Sequence, residues 1–381
     1  MEGEELKRLL LRENVTGQGL ILTTLALMSI GVVMVFSTTA VSAGASAWYE
    51  RTYIRQPIFA AAAMALLCLL WRMDYRRLGG WCWLSPATVI FILALVVVSA
   101  VFIPGVGHAV GGDLRWIRFG PIGFQPSEVL KIALLIILAA FLGRDGAAVR
   151  SFGRTFVPAV IMIGVSVGLV VTEDFGTAAI IGVTSVAVLL AGGVRWYYLA
   201  GLAPFGAGAF YLFVVGAPHR WARIEAMLNP TDTANPATYQ PRQALIAIGS
   251  GAEPAGPGAG VAKYGYLPEG HTDFIFANIC NELGMLGAIL VIGLLLLWLC
   301  LACRIAIRAP DRFGALLAGG LGFLVAFQAA LHIAINIPPA PPTGVSLPFV
   351  SAGGSSLLLM SAATALIVSV SSRKRAASDE C

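Results

Sequence analysis

Charged residues are scarce in this sequence. Asp, Glu, Lys and Arg make up 12% of its 381 residues, whereas hydrophobic residues make up 58%. No soluble domain of this length needs so much apolar surface, so the composition excludes an ordinary soluble protein. The net charge of +5 has to be interpreted by where the basic residues fall between apolar runs, and it does not indicate nucleic-acid binding.

Several chemical motifs are also missing. The glycine-rich segments GAGVA (258–262) and GGSS (353–356) are not followed by the Gly-Lys-Ser/Thr of a phosphate-binding loop. Cys300 and Cys303 have CxxC spacing, but they lie in an apolar run without a second pair, so a zinc site is not expected. The six cysteines are interpreted as small apolar packing residues.

Apolar runs of about 15 to 24 residues recur along the chain, and a helix that crosses a bilayer needs roughly 20. The sequence therefore predicts an all-α polytopic membrane protein forming a single domain over residues 1–381. Ten transmembrane helices are predicted: 17–39, 57–71, 84–103, 126–142, 157–172, 175–191, 198–215, 274–303, 313–336 and 350–370.

The basic residues predict an orientation. With the N-terminus in the cytoplasm, 16 of the 25 Lys and Arg residues fall in cytoplasmic segments and eight in outer segments. This bias places both termini in the cytoplasm. The unusual loops, 104–125, 216–273 and 337–349, then all lie on the outer side. The loop 216–273, between helices 7 and 8, is expected to contain short interfacial helices followed by a flexible glycine-proline hinge.

The segment 263–282, KYGYLPEGHTDFIFANICNE, concentrates charge that the rest of the chain lacks. It contains Glu269, His271, Asp273 and Glu282. A carboxylate at the edge of a bilayer is costly, so Asp273 is a candidate functional residue. The alternative is that Asp273 only caps the next helix. His271 is either a hydrogen-bonding residue or a base.

Glu128 and Lys131 are three residues apart in QPSEVLKIALLIIL and share one face of a predicted helix. They form either a structural ion pair or a pair that tunes Asp273 or holds an anionic substrate. Asp174 is expected to cap the sixth helix. Arg115 and Arg223 lie near tryptophans in outer loops, where arginine suits a lipid phosphate. The alternative is that these basic-aromatic pairs only anchor the loops at the membrane interface.

Five segments resemble one known family. They are 113–137 (DLRWIRFGPIGFQPSEVLKIALLII), TEDFGTAAII, YQPRQALIAIGSG (239–251), YLPEGHTDFIFA (266–277) and PTGVSLPFVSAGGSSLL (342–358). Together they resemble the SEDS (shape, elongation, division and sporulation) family of RodA and FtsW type. The resemblance covers nearly the whole chain.

The resemblance implies a peptidoglycan glycosyltransferase that polymerises lipid II at the outer face of the bacterial cytoplasmic membrane, with Asp273 as the general base. It implies substrate-binding roles for residues of a central cavity, with no nucleic acid as partner. Those residues are Arg115, Glu128, Lys131, Arg223, Lys263, Glu269, His271, Thr272, Ser355 and Ser356.

Partners implied by the same resemblance are lipid II, undecaprenyl-linked glycan, a class B penicillin-binding protein (a single-span transpeptidase) and other divisome or elongasome membrane proteins. Sugar transfer with inversion requires a base at the acceptor hydroxyl and stabilisation of the leaving pyrophosphate. Arg115, Arg223 and a divalent cation (Mg²⁺ or Mn²⁺) are candidates for the second task.

Two other functions remain open from the sequence. A flippase or transporter of the lipid-linked precursor would also carry intramembrane charges, and a non-catalytic scaffold would recruit the transpeptidase. The chain departs from the family pattern at Asn281, Ala352 and Glu173, where Glu, Tyr and Pro are usual, and its loop after Asn336 is shorter.

Overall fold

The structure is a computed structural model that describes most of the chain. The described residues are 15–39, 51–80, 84–110, 113–120, 122–144, 151–229, 235–252, 256, 258, 260, 267, 269–337 and 344–373. Lys263 and most of the predicted glycine-proline hinge lie outside them.

Helices dominate the described chain. They are α1 (Val15–Thr39), α2 (Thr52–Leu70), α3 (Pro86–Ser99, continued by a 3₁₀ turn, Ala100–Phe102), α4 (Pro126–Gly143), α5 (Val157–Val171, preceded by a π turn, Phe152–Phe156), α6 (Phe175–Ala191), α7 (Trp196–Ala200), α8 (Ala203–Phe210, continued by a π turn, Tyr211–Val215), α9 (Pro218–Leu228), α10 (Tyr239–Ser250), α11 (Ile275–Ile307), α12 (Arg312–Asn336) and α13 (Gly354–Ser372).

Each of the ten predicted spans overlaps one of these helices or a continuous pair of them. Within the described chain, eight helical segments are long and apolar enough to cross a membrane, and the segments 86–102 and 175–191 are shorter apolar helices. The chain is thus a multi-pass helical membrane protein. The count of ten and the orientation of the termini stay predictions.

Helix starts follow from local sequence. Pro126 opens α4, where its missing N–H costs no hydrogen bond. Ser85 and Asp311 cap α3 and α12 by accepting hydrogen bonds from the backbone amides of Thr88 (3.3 Å) and Gly314 (2.7 Å). These caps fix where each helix begins.

Helix α4 lies at the centre of the bundle. Of its 18 residues, 89% are buried, because α4 packs against α3, α6 and α12. Around it, α11 packs on α1 and α12, and α13 packs on α2. The central helix is also the one that carries Glu128 and Lys131.

The two ends of the bundle differ in chemistry. At one end Arg312 donates to the carbonyl of Gly192 (2.6 Å), and Arg373 pairs with Asp74 (3.7 Å). At the opposite end, here called the site end, α3 and α5 finish and α4 and α6 begin. Asp174 and Asp273 both lie there.

A small antiparallel sheet covers part of the site end, where the sequence analysis expected only a loop. It consists of β1 (Gly107–Val110), β2 (Asp113–Phe119) and β3 (Ile122–Phe124), in the order β1-β2-β3. Ile117 of β2 pairs with Gly107 on one side and Phe124 on the other. This sheet carries Arg115.

The segment 216–273 contains two of the short helices that were expected, α9 and α10. Arg220 of α9 donates to the carbonyls of Phe213 (3.1 Å) and Thr172 (2.6 Å), which ties α9 to the end of α5. Arg223 is one turn away on the same helix.

Candidate active site

Asp273 lies in a tight turn just before α11. Its backbone amide donates to the carbonyl of Glu269 (3.0 Å), and Glu269 itself has a left-handed φ of 54°. The Thr272 hydroxyl donates to the Glu269 carboxylate (2.8 Å), which closes the turn. The clustering of Glu269, Thr272 and Asp273 in sequence therefore becomes a compact group in space.

Two other elements hold this turn from outside. Asn336, at the end of α12, donates from its amide to the carbonyl of Asp273 (3.1 Å) and accepts from the amide of Ala277 (3.1 Å). The Ser351 hydroxyl donates to the carbonyl of Thr272 (2.7 Å), and the amide of Ala352 donates to the carbonyl of His271 (2.9 Å). The backbone position of Asp273 therefore depends on both neighbouring segments.

The alternative that Asp273 only caps a helix is wrong. The N-cap position of α11 is Phe274, and no side-chain capping bond is made there. The hydroxyl of the preceding residue, Thr272, is directed to Glu269. The Asp273 carboxylate therefore does not cap α11.

Burial raises the pKa of Asp273 to about 6, and the nearby carboxylates of Glu269 and Asp174 also raise it. The guanidinium groups of Arg115 and Arg223 lower it. The pair Glu128–Lys131 was one candidate for tuning Asp273, but the cations that lower its pKa in the structure are Arg115 and Arg223. A carboxylate with a pKa near 6 is mostly ionised at neutral pH and is a stronger base than an ordinary Asp.

Arg115 and Asp273 approach each other across Gly344. A methyl group built on Gly344 would lie 3.5 Å from Nη1 of Arg115 and 3.6 Å from Oδ2 of Asp273. Gly344 has a φ of +69°, which glycine adopts without strain. A carboxylate and a guanidinium therefore both lie within 3.6 Å of the point that a side chain at position 344 would occupy.

The same nitrogen of Arg115, Nη1, also pairs with Asp174, whose Oδ2 is 3.5 Å away. Asp174 also caps α6, as expected, by accepting from the amide (2.9 Å) and hydroxyl (2.8 Å) of Thr177. The side-chain amide of Gln125 donates to the same carboxylate (3.3 Å). Asp174 therefore both positions Arg115 and caps the first turn of α6.

Glu128 and Lys131 form a buried ion pair of 2.7 Å within α4. Lys131 donates as well to Gln328 of α12 (2.9 Å), and Gln328 donates to the carbonyl of Ser346 (3.0 Å). The predicted ion pair is confirmed, and its role in substrate binding stays a prediction. The pair also anchors the 344–353 segment that contains Gly344.

Ser355 and Ser356 connect the start of α13 to the site. The Ser355 hydroxyl accepts from the backbone amide of Gln125 (3.3 Å) and donates to the carbonyl of Gly123 (3.3 Å), so it binds the end of the sheet. The Ser356 hydroxyl lies 3.0 Å from that of Ser346. Each hydroxyl thus makes a hydrogen bond to a neighbouring segment of the site, Ser355 to β3 and Ser356 to Ser346.

His271 and Glu282 have different surroundings. Burial lowers the pKa of His271, opposed by the Glu269 carboxylate, so His271 is neutral near pH 7. Glu282 lies inside α11, where it accepts from the Ser37 hydroxyl (2.7 and 2.6 Å) and the amide of Gly258 (3.0 Å). The Glu282 carboxylate therefore binds Ser37 of α1 and Gly258 rather than the turn that carries Asp273.

Sequence reasoning missed Gln328, Asn336 and Gly344. Gln328 is a polar residue in the middle of an apolar helix, which is a signal that could have been used. The roles of Asn336 and Gly344 depend on contacts between distant segments. Over the part of the chain that the structure describes, there is no group of three or more His, Cys, Asp or Glu residues placed to hold a metal ion.

The fold and the site define a class: a multi-pass helical membrane protein with a carboxylate and two guanidinium groups at one end of its bundle. A sequence model of the FtsW/RodA/SpoVE family, described as cell cycle proteins, matches residues 18–376. The chain belongs to this family.

Two relatives illustrate the similarity. The "Probable peptidoglycan glycosyltransferase FtsW" of Geobacter metallireducens is 34% identical over 360 residues, 93% of this chain and 94% of the relative. The "Stage V sporulation protein E" of Bacillus subtilis is 34% identical over 361 residues, 93% of this chain and 97% of the relative.

Solved structures are similar as well. One is described as "Structural coordination of polymerization and crosslinking by a peptidoglycan synthase complex". It matches with a TM-score of 0.76 and 25% identity over 94% of this chain and 98% of that one. The rod shape determining protein RodA of Thermus thermophilus has a TM-score of 0.66 at 24% identity, over 94% and 97% of the two chains, and supports the fold alone.

Proposed function

We propose that this protein is a peptidoglycan glycosyltransferase that polymerises lipid II into glycan strands at the outer face of the bacterial cytoplasmic membrane. Relatives that align over more than nine-tenths of the chain carry that activity in their names. The observation that carries the proposal is the meeting of the Asp273 carboxylate and the Arg115 guanidinium across Gly344.

Asp273 is the general base in this proposal. The acceptor sugar's 4-hydroxyl attacks the anomeric carbon of the donor, its proton passes to Asp273, and the bond to the polyprenyl pyrophosphate breaks with inversion. A pKa of about 6 suits this role, since the group is ionised at neutral pH yet basic enough to accept a proton in the transition state.

Arg115 and Arg223 stabilise the leaving pyrophosphate. Both guanidinium groups act on Asp273 electrostatically, so both are close enough to influence the reacting region. Cations fixed in advance where negative charge develops can supply several kcal/mol. A divalent cation (Mg²⁺ or Mn²⁺) at the pyrophosphate would supply further positive charge there.

The remaining site residues act on substrate position. Glu269, His271 and Thr272 shape the turn around Asp273. Ser355 binds β3, Ser356 supports the 344–353 segment, and Glu128 with Lys131 anchors that segment. Lys263 is proposed as a substrate contact from the family resemblance alone. We further propose ten spans, cytoplasmic termini, and a class B penicillin-binding protein and other divisome or elongasome proteins as membrane partners.

The test is polymerisation of labelled lipid II by purified protein, with and without its transpeptidase partner, read as glycan chains on a gel. Asp273→Asn should abolish chains while protein yield and partner binding stay unchanged. Glu225→Gln, which removes an exposed carboxylate of α9, is the matched control and should polymerise normally.

Three results would contradict the proposal. Near wild-type chains from Asp273→Asn would remove Asp273 from the base role. Transport of lipid II across vesicles without polymerisation would favour the flippase. Stimulated crosslinking by the partner, without any glycan made by this chain, would favour the scaffold.

A further inference from the structure

A pocket of about 290 Å³ lies beside the candidate active site, between the ends of α3 and α5 and the start of α4. We call it the side pocket. One wall is apolar and is made by Val98, Val101, Phe102, Leu169 and Val170. Val98 and Val170 are buried, whereas Phe102 is 43% exposed. The side pocket thus runs from the lateral surface of the bundle, at Phe102, towards its interior.

The opposite wall contains two buried polar atoms that the rest of the chain does not use. Nε of Arg115 and Oγ of Ser127 are both buried, and neither meets a hydrogen-bond partner among the described residues. Ser127 is only 7% exposed. Buried polar atoms are rarely left without a partner in native proteins. These two atoms therefore indicate a ligand with acceptor oxygens at the inner end of the side pocket.

The charges around the side pocket restrict where an anionic head can lie. Asp174 and Glu173 line it together with Arg115, so two carboxylates face one guanidinium. A pyrophosphate placed inside would meet both carboxylates. Asp273 and Gly344 do not line the side pocket, although both lie near the guanidinium of Arg115. The head therefore belongs near Gly344, and only the ester oxygen at the start of its chain reaches Nε of Arg115 and Oγ of Ser127.

We propose that the side pocket binds the first part of the polyprenyl chain of the lipid-linked substrate. The chain would enter laterally past Phe102, lie against Val98 and Leu169, and leave the pyrophosphate at Arg115. Part of this space is open to solvent, so the side pocket takes only the start of the chain and the remainder stays in the bilayer. This inference rests on the proposed function, since it takes that substrate as the occupant.

The expected effect on affinity is modest. A hydrocarbon chain in the bilayer is already out of water, so the side pocket gains packing contacts rather than hydrophobic transfer energy. Blocking it should raise KM about three- to tenfold and leave kcat close to wild type, because the chain contacts are the same in ground and transition states.

The test fills the side pocket from α3. Val98→Phe places a larger side chain in it, and Val96→Phe is the matched control, because Val96 is 59% exposed on the outer surface of the same helix. Initial rates of polymerisation are measured with full-length lipid II and with an analogue whose chain is cut to a single methyl group. We expect Val98→Phe to raise KM for the full-length substrate and Val96→Phe to leave it unchanged.

The analogue should give the same KM with Val98→Phe and wild type, once its short chain no longer fills the pocket. Equal KM values for Val98→Phe and Val96→Phe with full-length lipid II would overturn the proposal. If Val98→Phe lowers the unfolding temperature, Phe102→Ala at the partly exposed mouth replaces it and should also raise KM, since it removes one wall.

A binding measurement separates the occupant from the reaction. A polyprenyl pyrophosphate with a diazirine near its head should label the peptide that contains residues 98–102 of the wild-type protein. Unlabelled polyprenyl pyrophosphate should compete, and phosphatidylglycerol should not. Equal competition by phosphatidylglycerol would make the side pocket a general phospholipid site and refute the proposal, as would labelling elsewhere. A wild-type protein that labels here but makes no glycan would instead contradict the proposed function.

Discussion

Lowering the pH below 6 should switch off polymerisation, because it protonates the group proposed as the base. Burial, aided by the carboxylates of Glu269 and Asp174, raises the pKa of Asp273 to about 6. A base works in its deprotonated form, so activity should be nearly full at pH 7.5. It should fall to about a tenth at pH 5 and about tenfold more for each further unit.

The variant Glu269→Gln turns this profile into a test of the structure. Removing the Glu269 charge takes away one of the causes that raise the pKa of Asp273, so the acid limb should move to lower pH. Glutamine keeps an oxygen that accepts the Thr272 hydroxyl, so the turn should persist. At pH 5.5 the variant should then keep a larger share of its maximal rate than wild type does.

The assay is the initial rate of glycan formation from labelled lipid II between pH 4.5 and 8, for wild type, Glu269→Gln and Glu225→Gln. The control should follow the wild-type curve, since Glu225 is not among the charges that act on Asp273. An acid limb at the same pH in Glu269→Gln and wild type would refute the assignment of the limb to Asp273.

Three further predictions concern stability and geometry. Lys131→Met leaves Glu128 buried and unpaired and should cost about 3–5 kcal/mol, whereas the double variant with Glu128→Gln should recover most of it; a double variant that unfolds in detergent no higher than the single one would contradict this. Asp174→Ala removes a helix cap and should cost about 1 kcal/mol in the same thermal unfolding, with Asp174→Asn closer to wild type; equal losses for both would count against the cap. Gly344→Ala introduces a strained φ and a methyl group between Arg115 and Asp273, so kcat/KM for lipid II should fall about tenfold or more; an unchanged kcat/KM would show that the gap between them is not used.

The helical architecture was predictable because apolar length is a strong local signal. Each predicted span overlaps a helix, and α4 begins at the Pro126 that marked it. The sheet was not predicted. Its strands are short and lie in a loop that breaks the apolar pattern, although the alternation in LRWIRF (114–119) is typical of a strand.

The candidate site was predictable only in part. The proximity of Glu269 and Thr272 to Asp273 follows from sequence spacing, and the Glu128–Lys131 pair follows from helical periodicity. The contact of Arg115 with the region of Asp273 does not, because it joins segments more than 150 residues apart. Lys131 shows the same limit, since its second partner, Gln328, lies on another helix.

The departures from the family pattern have visible local roles. Glu173, where proline is usual, accepts a hydrogen bond from the amide of Leu114 (2.8 Å) and so ties α5 to β2. Asn281 donates to the Ser250 hydroxyl (2.7 Å) and joins α11 to α10. Ala352 contributes only its backbone, through the bond to His271.

Arg115 belongs to a strand, whereas Asp273 precedes a helix that is fastened to α12 through Asn336. The two opposite charges are therefore mounted on separate supports, with the single small residue Gly344 between them. The segment 344–356 connects these supports, because Gln328 of α12 binds Ser346 and Ser355 binds Gly123 of β3. The spacing of the two charges therefore depends on this connecting segment as well as on either support.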